Sequence, residues 1–413
     1  MCANKTTPTQ PFARRHHICL PFESEQHYSE CVADPVKYRE FLTQQFEQYP
    51  ELFPAQFSTG YQFHSRYRQK KQDLVLRRIK LKATGKVFTI RPSFVMPYGV
   101  ARTDEVEKTL YLRKDGVSFE SLVYAFGRDL NYWERMWNSL GRNSLVGATV
   151  KDPAKLPPKL VADEKVTWLG GEEVLVATTV GAGCFLGVGL ASDTSTPALE
   201  AAYGEFKQEA QELDQTYAPE TVTTDGFRST RLAWRQLFPG VSLILCFLHG
   251  VLKVMERCRG ALRKQVLDRV WHCYQAQTPR QFSQRSRRLG EWAKKGLTGA
   301  VLEMVLKVCG HRADYLLAYA HPGAARTTNA VDRLMNYQDR LLYAMRYLHG
   351  KGEKARLAVR AMALQWNFHP YSARVRRENP GRQSPFADLN GFQYHGNWLH
   401  NLLIAASMGG HRL

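Results

Sequence analysis

The fold is decided by residues 221–249, which read TVTTDGFRSTRLAWRQLFPGVSLILCFLH. Its first four residues are rich in β-branched side chains and predict a buried strand. The strand ends at Asp225 and Gly226, and the glycine frees the backbone to turn into a helix that we predict over 227–238. The stretch therefore predicts a strand, a carboxylate at its end and a helix.

A second strand is predicted over 241–247, where the sequence VSLILCF is almost wholly apolar. The strand leads into a Cys-x-x-His motif formed by Cys246 and His249. A cysteine in such a strand is usually inert packing, and no second Cys/His pair completes a zinc site. Strands that alternate with helices predict an α/β fold.

Upstream, strands are predicted over 159–163, 173–180 and 185–191, and a helix over 196–213. No residue between Glu173 and Asp193 is charged, but this stretch divides around Gly-Ala-Gly, so a buried hairpin is favoured over a membrane-spanning helix. We expect Asp163 to end the first of these strands.

Asp163 and Asp225 are expected to converge, because ligand sites in open α/β sheets collect outside the carboxyl ends of the strands. Two carboxylates and a third from a helix are what a pair of Mg²⁺ ions needs, since hard cations prefer oxygen ligands. Taken alone, each residue has a simpler interpretation, with Asp163 capping a turn and Asp225 capping a helix.

The order of these motifs resembles that of the DDE transposases, in particular the bacterial insertion-sequence and Mutator-like groups. The resemblance rests on the hairpin after Asp163, on Asp225 followed by glycine, and on the motif of Cys246 and His249. It implies an RNase H-like catalytic core with a mixed sheet, interrupted by an all-helical insertion. It also implies that Cys246 and His249 support the metal site.

A third acid is expected in the segment RTTNAVDR, residues 326–333. The family usually has Thr-Ser/Thr-Asn followed by Glu and then Arg, so Asp332 occupies the position of the Glu. The side chain of Asp332 is one methylene shorter than that of Glu, so metal binding by Asp332 requires a closer helix or a bridging water. The alternative interpretation is that Asp332 is a surface residue paired with an Arg. The resemblance implies catalysis and metal binding by Asp163, Asp225 and Asp332, with two Mg²⁺ ions as cofactor and Mn²⁺ as a substitute, and DNA contacts from Arg326, Asn329 and Arg333.

Three short helices with tight glycine turns are predicted over 104–113, 118–126 and 129–140. This pattern is typical of a helix-turn-helix, whose last helix would offer Asn131, Arg135 and Asn138 to a major groove; a plain helical bundle is the alternative.

The predicted organisation is a basic, partly irregular region over 1–100, a helix-turn-helix-like DNA-binding domain over 101–150, a linker over 151–160, the catalytic core over 161–249, the helical insertion over 250–320, the core helix with the third acid over 321–365, and a DNA-contacting or packing tail over 366–413.

The charge favours a polyanionic partner. The chain has 413 residues, with 57 Lys+Arg against 38 Asp+Glu and a net charge of +19. Residues 64–91 hold ten basic side chains against one acid, and residues 250–312 hold fourteen against four. Two separate basic blocks indicate a nucleic-acid surface more than a uniform solubilising coat. In the second block, the predicted DNA contacts are Arg257, Arg259, Arg263 and Lys264.

Eight cysteines without a CxxC pair are typical of a reducing compartment, and no secretory signal is recognisable. We therefore expect a cytoplasmic, nucleoid-associated protein that acts away from membranes. The resemblance implies element terminal inverted repeats and target DNA as partners, and a dimer or larger assembly on DNA. Two other classes stay open: a non-catalytic DNA-binding regulator derived from a transposase, which Asp332 permits, and a cysteine hydrolase centred on Cys246, which lacks a nucleophile motif.

Overall fold

The computed structural model describes residues 16–70, 72–97 and 99–411. The strands are β1 His17–Leu20, β2 Tyr61–Gln69, β3 Leu74–Leu81, β4 Val87–Pro92, β5 Lys159–Leu169, β6 Glu172–Gly181, β7 Cys184–Ala191, β8 Thr221–Thr224 and β9 Ser242–Leu245. The α-helices are α1 Glu25–Ala33, α2 Pro35–Gln48, α3 Thr103–Lys114, α4 Phe119–Phe126, α5 Leu130–Leu140, α6 Leu145–Thr149, α7 Thr196–Leu213, α8 Arg228–Leu237, α9 Phe247–Arg257, α10 Gly260–Tyr274, α11 Pro279–Gly296, α12 Gly299–Gly310, α13 Arg312–Ala320, α14 Asn329–Ala344, α15 Gly352–Phe368, α16 Ala373–Glu378, α17 Pro385–Asn390 and α18 Trp398–Ala405.

The larger sheet is mixed, with the strand order β7-β6-β5-β8-β9. Strands β5, β6 and β7 form an antiparallel meander, and β8 and β9 then continue the sheet in parallel with β5. The expected α/β class with a mixed sheet is therefore confirmed. Strand β5 is longer than predicted and continues to Leu169, because residues 164–169 pair in register with β6 although EKVT is polar.

Alternate residues of β5 face two different cores. Leu160 and Ala162 belong to the cluster that covers one face of the sheet together with α7 and α8. Val161 belongs to the cluster on the opposite face, which includes α14 and α15. Since successive side chains of a strand point to opposite faces, Asp163 shares the face of α14 and Glu164 shares the face of α7 and α8.

A second sheet has the strand order β1-β4-β3-β2. It was not predicted from the sequence. Its hydrophobic core continues without a break into the helices α3 to α6 and into α14, α15 and α18. Helix α5 is joined to α15 by a hydrogen bond from the Trp137 indole Nε1 to Gln365 Oε1 at 3.1 Å. The region predicted as a separate DNA-binding domain thus shares a core with the main sheet.

The segment predicted as an all-helical insertion consists of the helices α10 to α13, and α9 leads into it from β9. These five helices have a hydrophobic cluster of their own, which includes Phe247, Val254, Val270 and Phe282. Among the described residues, no helix is both long enough and apolar enough to cross a membrane.

Candidate functional site

The parallel register of β5 and β8 sets Asp163 beside Asp225. The paired residues run from Lys159 with Thr221 to Val161 with Thr223, an offset of 62 positions. Asp163 and Asp225 have the same offset, and they lie two residues beyond the last pair. The expectation that Asp163 ends its strand was wrong, because β5 continues along β6 after β8 has turned away.

The turn after β8 requires glycine. Gly226 has a φ of +93°, and a Cβ on it would lie 2.4 Å from Leu245 Cδ1. The turn is closed by Asp225 itself, whose Oδ1 accepts a hydrogen bond from the backbone N–H of Phe227 at 2.7 Å. The predicted Asp-Gly pair therefore fixes where this carboxylate points.

Glu164 is a candidate site residue that was not predicted from the sequence. Ligand atoms of Asp163, Glu164 and Asp225 all lie within 4.8 Å of one another, and we call these three residues the carboxylate cluster. Glu164 Oε1 accepts hydrogen bonds from the Tyr203 hydroxyl at 2.7 Å and the Thr230 hydroxyl at 2.5 Å. The available signal was a second acid directly after Asp163, following the apolar residues Leu160, Val161 and Ala162.

Each carboxylate has one anchored oxygen and one that accepts no hydrogen bond from the described residues. The anchored atoms are Oδ1 of Asp163 (from the N–H of Glu164, 2.9 Å), Oε1 of Glu164 and Oδ1 of Asp225. Within the same part of the chain, none of the three forms an ion pair with Lys or Arg; the ion pairs found lie elsewhere, as between Lys165 and Asp339. Three anchored carboxylates thus lie close together, each with one oxygen that the described residues leave without a hydrogen bond.

Burial and the neighbouring acids disfavour the charged forms of Asp163 and Glu164. Burial, and then the charge of Asp225, raise the pKa of Asp163 to about 6. Burial raises the pKa of Glu164 to about 7, although the hydrogen bonds from Thr230 and Tyr203 act in the opposite direction and lower it. A bound cation would relieve this repulsion.

Cys246, His249 and Thr328 form a polar network beside the cluster. The Thr328 backbone N–H donates to Cys246 Sγ at 3.2 Å, and the Thr328 hydroxyl lies 3.5 Å from His249 Nδ1. The hydrogen bond with Cys246, helped by the charges of Asp163 and Asp225, raises the pKa of His249 to about 9. Burial alone would raise the pKa of Cys246, but its hydrogen bonds with His249 and Thr328 lower it.

This network corrects one expectation and weakens another. The strand predicted over 241–247 ends at Leu245 in the structure; Cys246 is the N-cap of α9, and His249 lies in the first turn of that helix. Cys246 is fully buried, which does not favour a cysteine hydrolase. Both residues instead connect the end of β9 to Thr328, which precedes α14.

Asp332 lies near the cluster but outside it. It is in the first turn of α14, and its backbone N–H donates to the carbonyl of Thr328 at 3.0 Å. Its charge raises the pKa of Asp163 only as the smallest of several causes. Burial raises the pKa of Asp332 itself, while the nearby His249 lowers it. The structure therefore brings Asp163 and Asp225 together as predicted, with Glu164 beside them and with Asp332 near enough for its charge to act on Asp163.

The predicted DNA contacts divide into exposed and buried groups. Asn131 and Arg135 on α5 are exposed, whereas Asn138 is only 8% exposed and cannot enter a major groove from this packing. Arg326 lies against the rings of Tyr274 and Tyr319 at 4.5 and 4.8 Å, so its surroundings do not support a DNA contact. The remaining predicted contacts are exposed: Arg257, Arg259, Arg263, Lys264, Asn329 and Arg333.

The basic block over 64–91 is partly structural. Arg77 is buried and donates to the carbonyl of Val32 at 2.8 Å, and Arg91 is buried and donates to the carbonyl of Val95 at 2.5 Å. Lys71 of this block lies outside the described residues. The block therefore offers fewer cations to a ligand than its count of basic residues indicates.

The chain matches no protein-family model, and no curated protein is significantly similar to it.

Proposed function

We propose that this protein is a metal-dependent DNA strand-transfer enzyme of the DDE transposase type, with an RNase H-like core. The observation that carries the proposal is the convergence of Asp163, Glu164 and Asp225 at the point where β8 turns away from β5. The mixed sheet, and the helical segment between β9 and the helix that carries Asp332, agree with the arrangement that the resemblance implies.

The residues present fit divalent metal ions. Their free atoms are carboxylate oxygens, the ligands that Mg²⁺ and Mn²⁺ prefer, and burial together with the neighbouring acids raises the pKa values of Asp163 and Glu164, a cost that a bound cation would offset. Asp163, Glu164 and Asp225 would hold the ions. Bound there, two such ions about 3.5–4 Å apart would stabilise charge on the attacking and leaving oxygens of a phosphoryl transfer.

The protein's own groups have separate roles. The N–H of Phe227 and the hydroxyls of Tyr203 and Thr230 hold the carboxylates in place, so little reorganisation is needed when charge develops. His249, with its raised pKa, carries a proton at neutral pH and is a hydrogen-bond donor for a DNA phosphate near the cluster. Cys246 and Thr328 act as positioning residues that orient its ring.

The DNA would extend from the cluster over the basic insertion. Arg257 ends α9, the helix whose first turn contains His249, and the exposed cations Arg259 and Arg263 follow it closely in the chain. None of these three arginines takes part in an ion pair within the described residues. They are therefore available to neutralise phosphates next to the reacting bond.

Neutralising Arg257, Arg259 and Arg263 together to Gln is expected to flatten the salt dependence of DNA binding. Each phosphate contact contributes roughly −0.9 to the slope of log affinity against log salt, so the slope should change by about two to three units. Fluorescence anisotropy with one end-containing duplex at several salt concentrations measures this slope. Equal slopes for the variant and the wild type would show that this surface does not contact DNA.

A second function, a non-catalytic DNA-binding regulator, is favoured by one observation. Asp332 stands where the family has Glu and lies outside the carboxylate cluster. In that case the basic surfaces would still bind DNA, and no cleavage would occur. If the protein is the proposed transposase, Glu164 supplies the third carboxylate in place of Asp332.

The two functions are separated by incubating the purified protein with duplex DNA taken from both flanks of its gene. The transposase proposal predicts nicks at defined positions in Mg²⁺ or Mn²⁺ and none in EDTA. Site-specific binding without nicks in either metal would favour the regulator.

A further inference from the structure

The smaller sheet has one face that is covered by helices and one that is partly open. On the covered face, Arg77 lies over the Tyr38 ring of α2 at 5.4 Å, and the ring of Phe63 packs beside the same tyrosine. Ile79, two residues after Arg77, is fully buried on this face. Since successive side chains of a strand point to opposite faces, the residues of β3 that alternate with these point away from α2.

Three cations stand in a row on the other face: Arg78, Lys80 and Lys82, which we call the basic row. In the register with β2, Arg78 lies opposite Ser65 and Lys80 lies opposite Gln62, so two polar side chains flank the row. Alternate residues of a strand are about 6.7 Å apart, which spaces the cations evenly. Lys82 and Gln62 are exposed, and Arg78 and Lys80 are half-buried.

The stems of these cations are supported by their neighbours. The Arg78 guanidinium lies over the Tyr67 ring at 4.4 Å. The N–H of Lys82 donates to the Gly60 carbonyl at 3.0 Å, which continues the pairing of β2 with β3, and a Cβ on Gly60 would lie 3.4 Å from Lys82 Cδ. Side chains that are already held lose less rotamer entropy when they bind a ligand.

No acid neutralises the basic row. Within the part of the chain that the structure describes, none of its three cations forms an ion pair. Residues 52–103 contain a single acid, Asp73, whose carboxylate accepts a hydrogen bond from Arg68 at 2.8 Å. The row therefore presents uncompensated positive charge to the solvent.

The chemistry of the row favours duplex DNA over other partners. Protein interfaces have a centre that is depleted in charge, whereas here cations, an amide and a hydroxyl occupy the open face. Single strands bind largely through bases stacked on aromatic rings, but the ring beside the row, that of Tyr67, lies against Arg78. A regular row of cations matches the regular phosphates of a duplex backbone.

We propose that the basic row is a DNA-binding surface in addition to the insertion, and that it holds the backbone of the duplex whose strand is cut at the carboxylate cluster. The identity of this partner rests on the proposed function. The predicted helix-turn-helix does not supply the contact in the expected way, because Asn138 is buried. Ile79 of β3 and Val161 of β5 belong to one hydrophobic core, so DNA bound at the row is positioned relative to the cluster.

Fluorescence anisotropy in EDTA with a duplex from one flank of the gene tests the proposal. Substituting Lys80→Gln and Lys82→Gln together should flatten the slope of log affinity against log salt by about two units, because each phosphate contact contributes roughly −0.9. Lys37→Gln together with Lys108→Gln is the charge-matched control, since these are exposed lysines on α2 and α3. The control should keep the wild-type slope.

A single strand of the same sequence distinguishes the two forms of DNA. The substitutions in the row should weaken binding of the duplex more than binding of the single strand. An unchanged slope on the duplex, or a larger loss for the single strand, would overturn the proposal. An equal change of slope in the control would assign the effect to net charge alone and would overturn it as well.

This result is separable from the test of the proposed function. Asp225→Asn should bind the duplex with the wild-type slope, because the measurement needs neither cleavage nor a divalent ion. If no cleavage is found and the slope still flattens in the row variant, the row binds DNA and the catalytic proposal fails. If cleavage occurs and the slope is unchanged in the row variant, only the assignment of the row is refuted.

Discussion

Asp225→Asn is expected to reduce Mg²⁺-dependent DNA cleavage by about 10³-fold, equivalent to about 4 kcal/mol of transition-state stabilisation. The substitution removes a charge but keeps the shape of the side chain. The amide oxygen can still accept the hydrogen bond from Phe227, so the turn at Gly226 should persist. The loss would therefore come from the missing carboxylate and not from misfolding.

Glu173→Gln is the matched control for this experiment. Glu173 is an exposed carboxylate on β6, paired with Trp168 toward the opposite end of β5. The rate of cleavage by this variant should equal that of the wild type in a single-turnover gel assay. Cleavage by Asp225→Asn within tenfold of the wild-type rate would contradict the mechanism.

Asp163→Asn is expected to stabilise the metal-free protein at neutral pH by up to about 3 kcal/mol. The folded protein raises the pKa of Asp163 from 3.8 to about 6, so it favours the protonated form. Its contribution to stability is therefore fully present below pH 4 and is lost as the pH rises through about 6. Asparagine stays neutral at every pH and does not incur this loss.

Urea unfolding in EDTA at pH 4 and pH 7.5 measures the effect. The gain from Asp163→Asn should be near zero at the lower pH and largest at the higher one. Asp193→Asn is the control, because hydrogen bonds from Ser195 lower the pKa of that exposed carboxyl and the substitution should bring no gain. A gain that is absent, or equal at both pH values, would contradict the electrostatic account of the cluster.

The sequence predicted well those helices and strands whose capping and turn signals lie within a few residues of their ends. Helix α7 and strand β8 have the predicted bounds, and α4 and α5 begin one residue after their predicted starts, with Ser118 and Asp129 as their N-caps. Asp225 was recognisable because a glycine that must adopt positive φ follows it directly. Capping and turn chemistry act within a few residues, so they can be read without the fold.

The rest of the site depends on pairing between distant strands. Glu164 joins the cluster because β5 extends past the end of β8, and the register that decides this is not visible in β5 alone. Arg326 was predicted to contact DNA from the family resemblance, and Asn138 from the helix-turn-helix pattern. Tertiary packing places Arg326 against two tyrosines and buries Asn138. The smaller sheet escaped recognition for a similar reason, since β2 alternates exposed polar or basic side chains with half-buried aromatic ones, a pattern that also suits a charged loop.

Titration with Mn²⁺, followed by the electron paramagnetic resonance of the free ion, tests most directly whether the carboxylate cluster holds divalent metal. The wild type should bind Mn²⁺, Glu164→Gln should bind it at least about tenfold more weakly, and Glu173→Gln should bind as the wild type does. Asp332→Asn should retain most of the affinity, because its carboxylate lies outside the cluster. Equal Mn²⁺ affinities for Glu164→Gln and the wild type would contradict the assignment of this site.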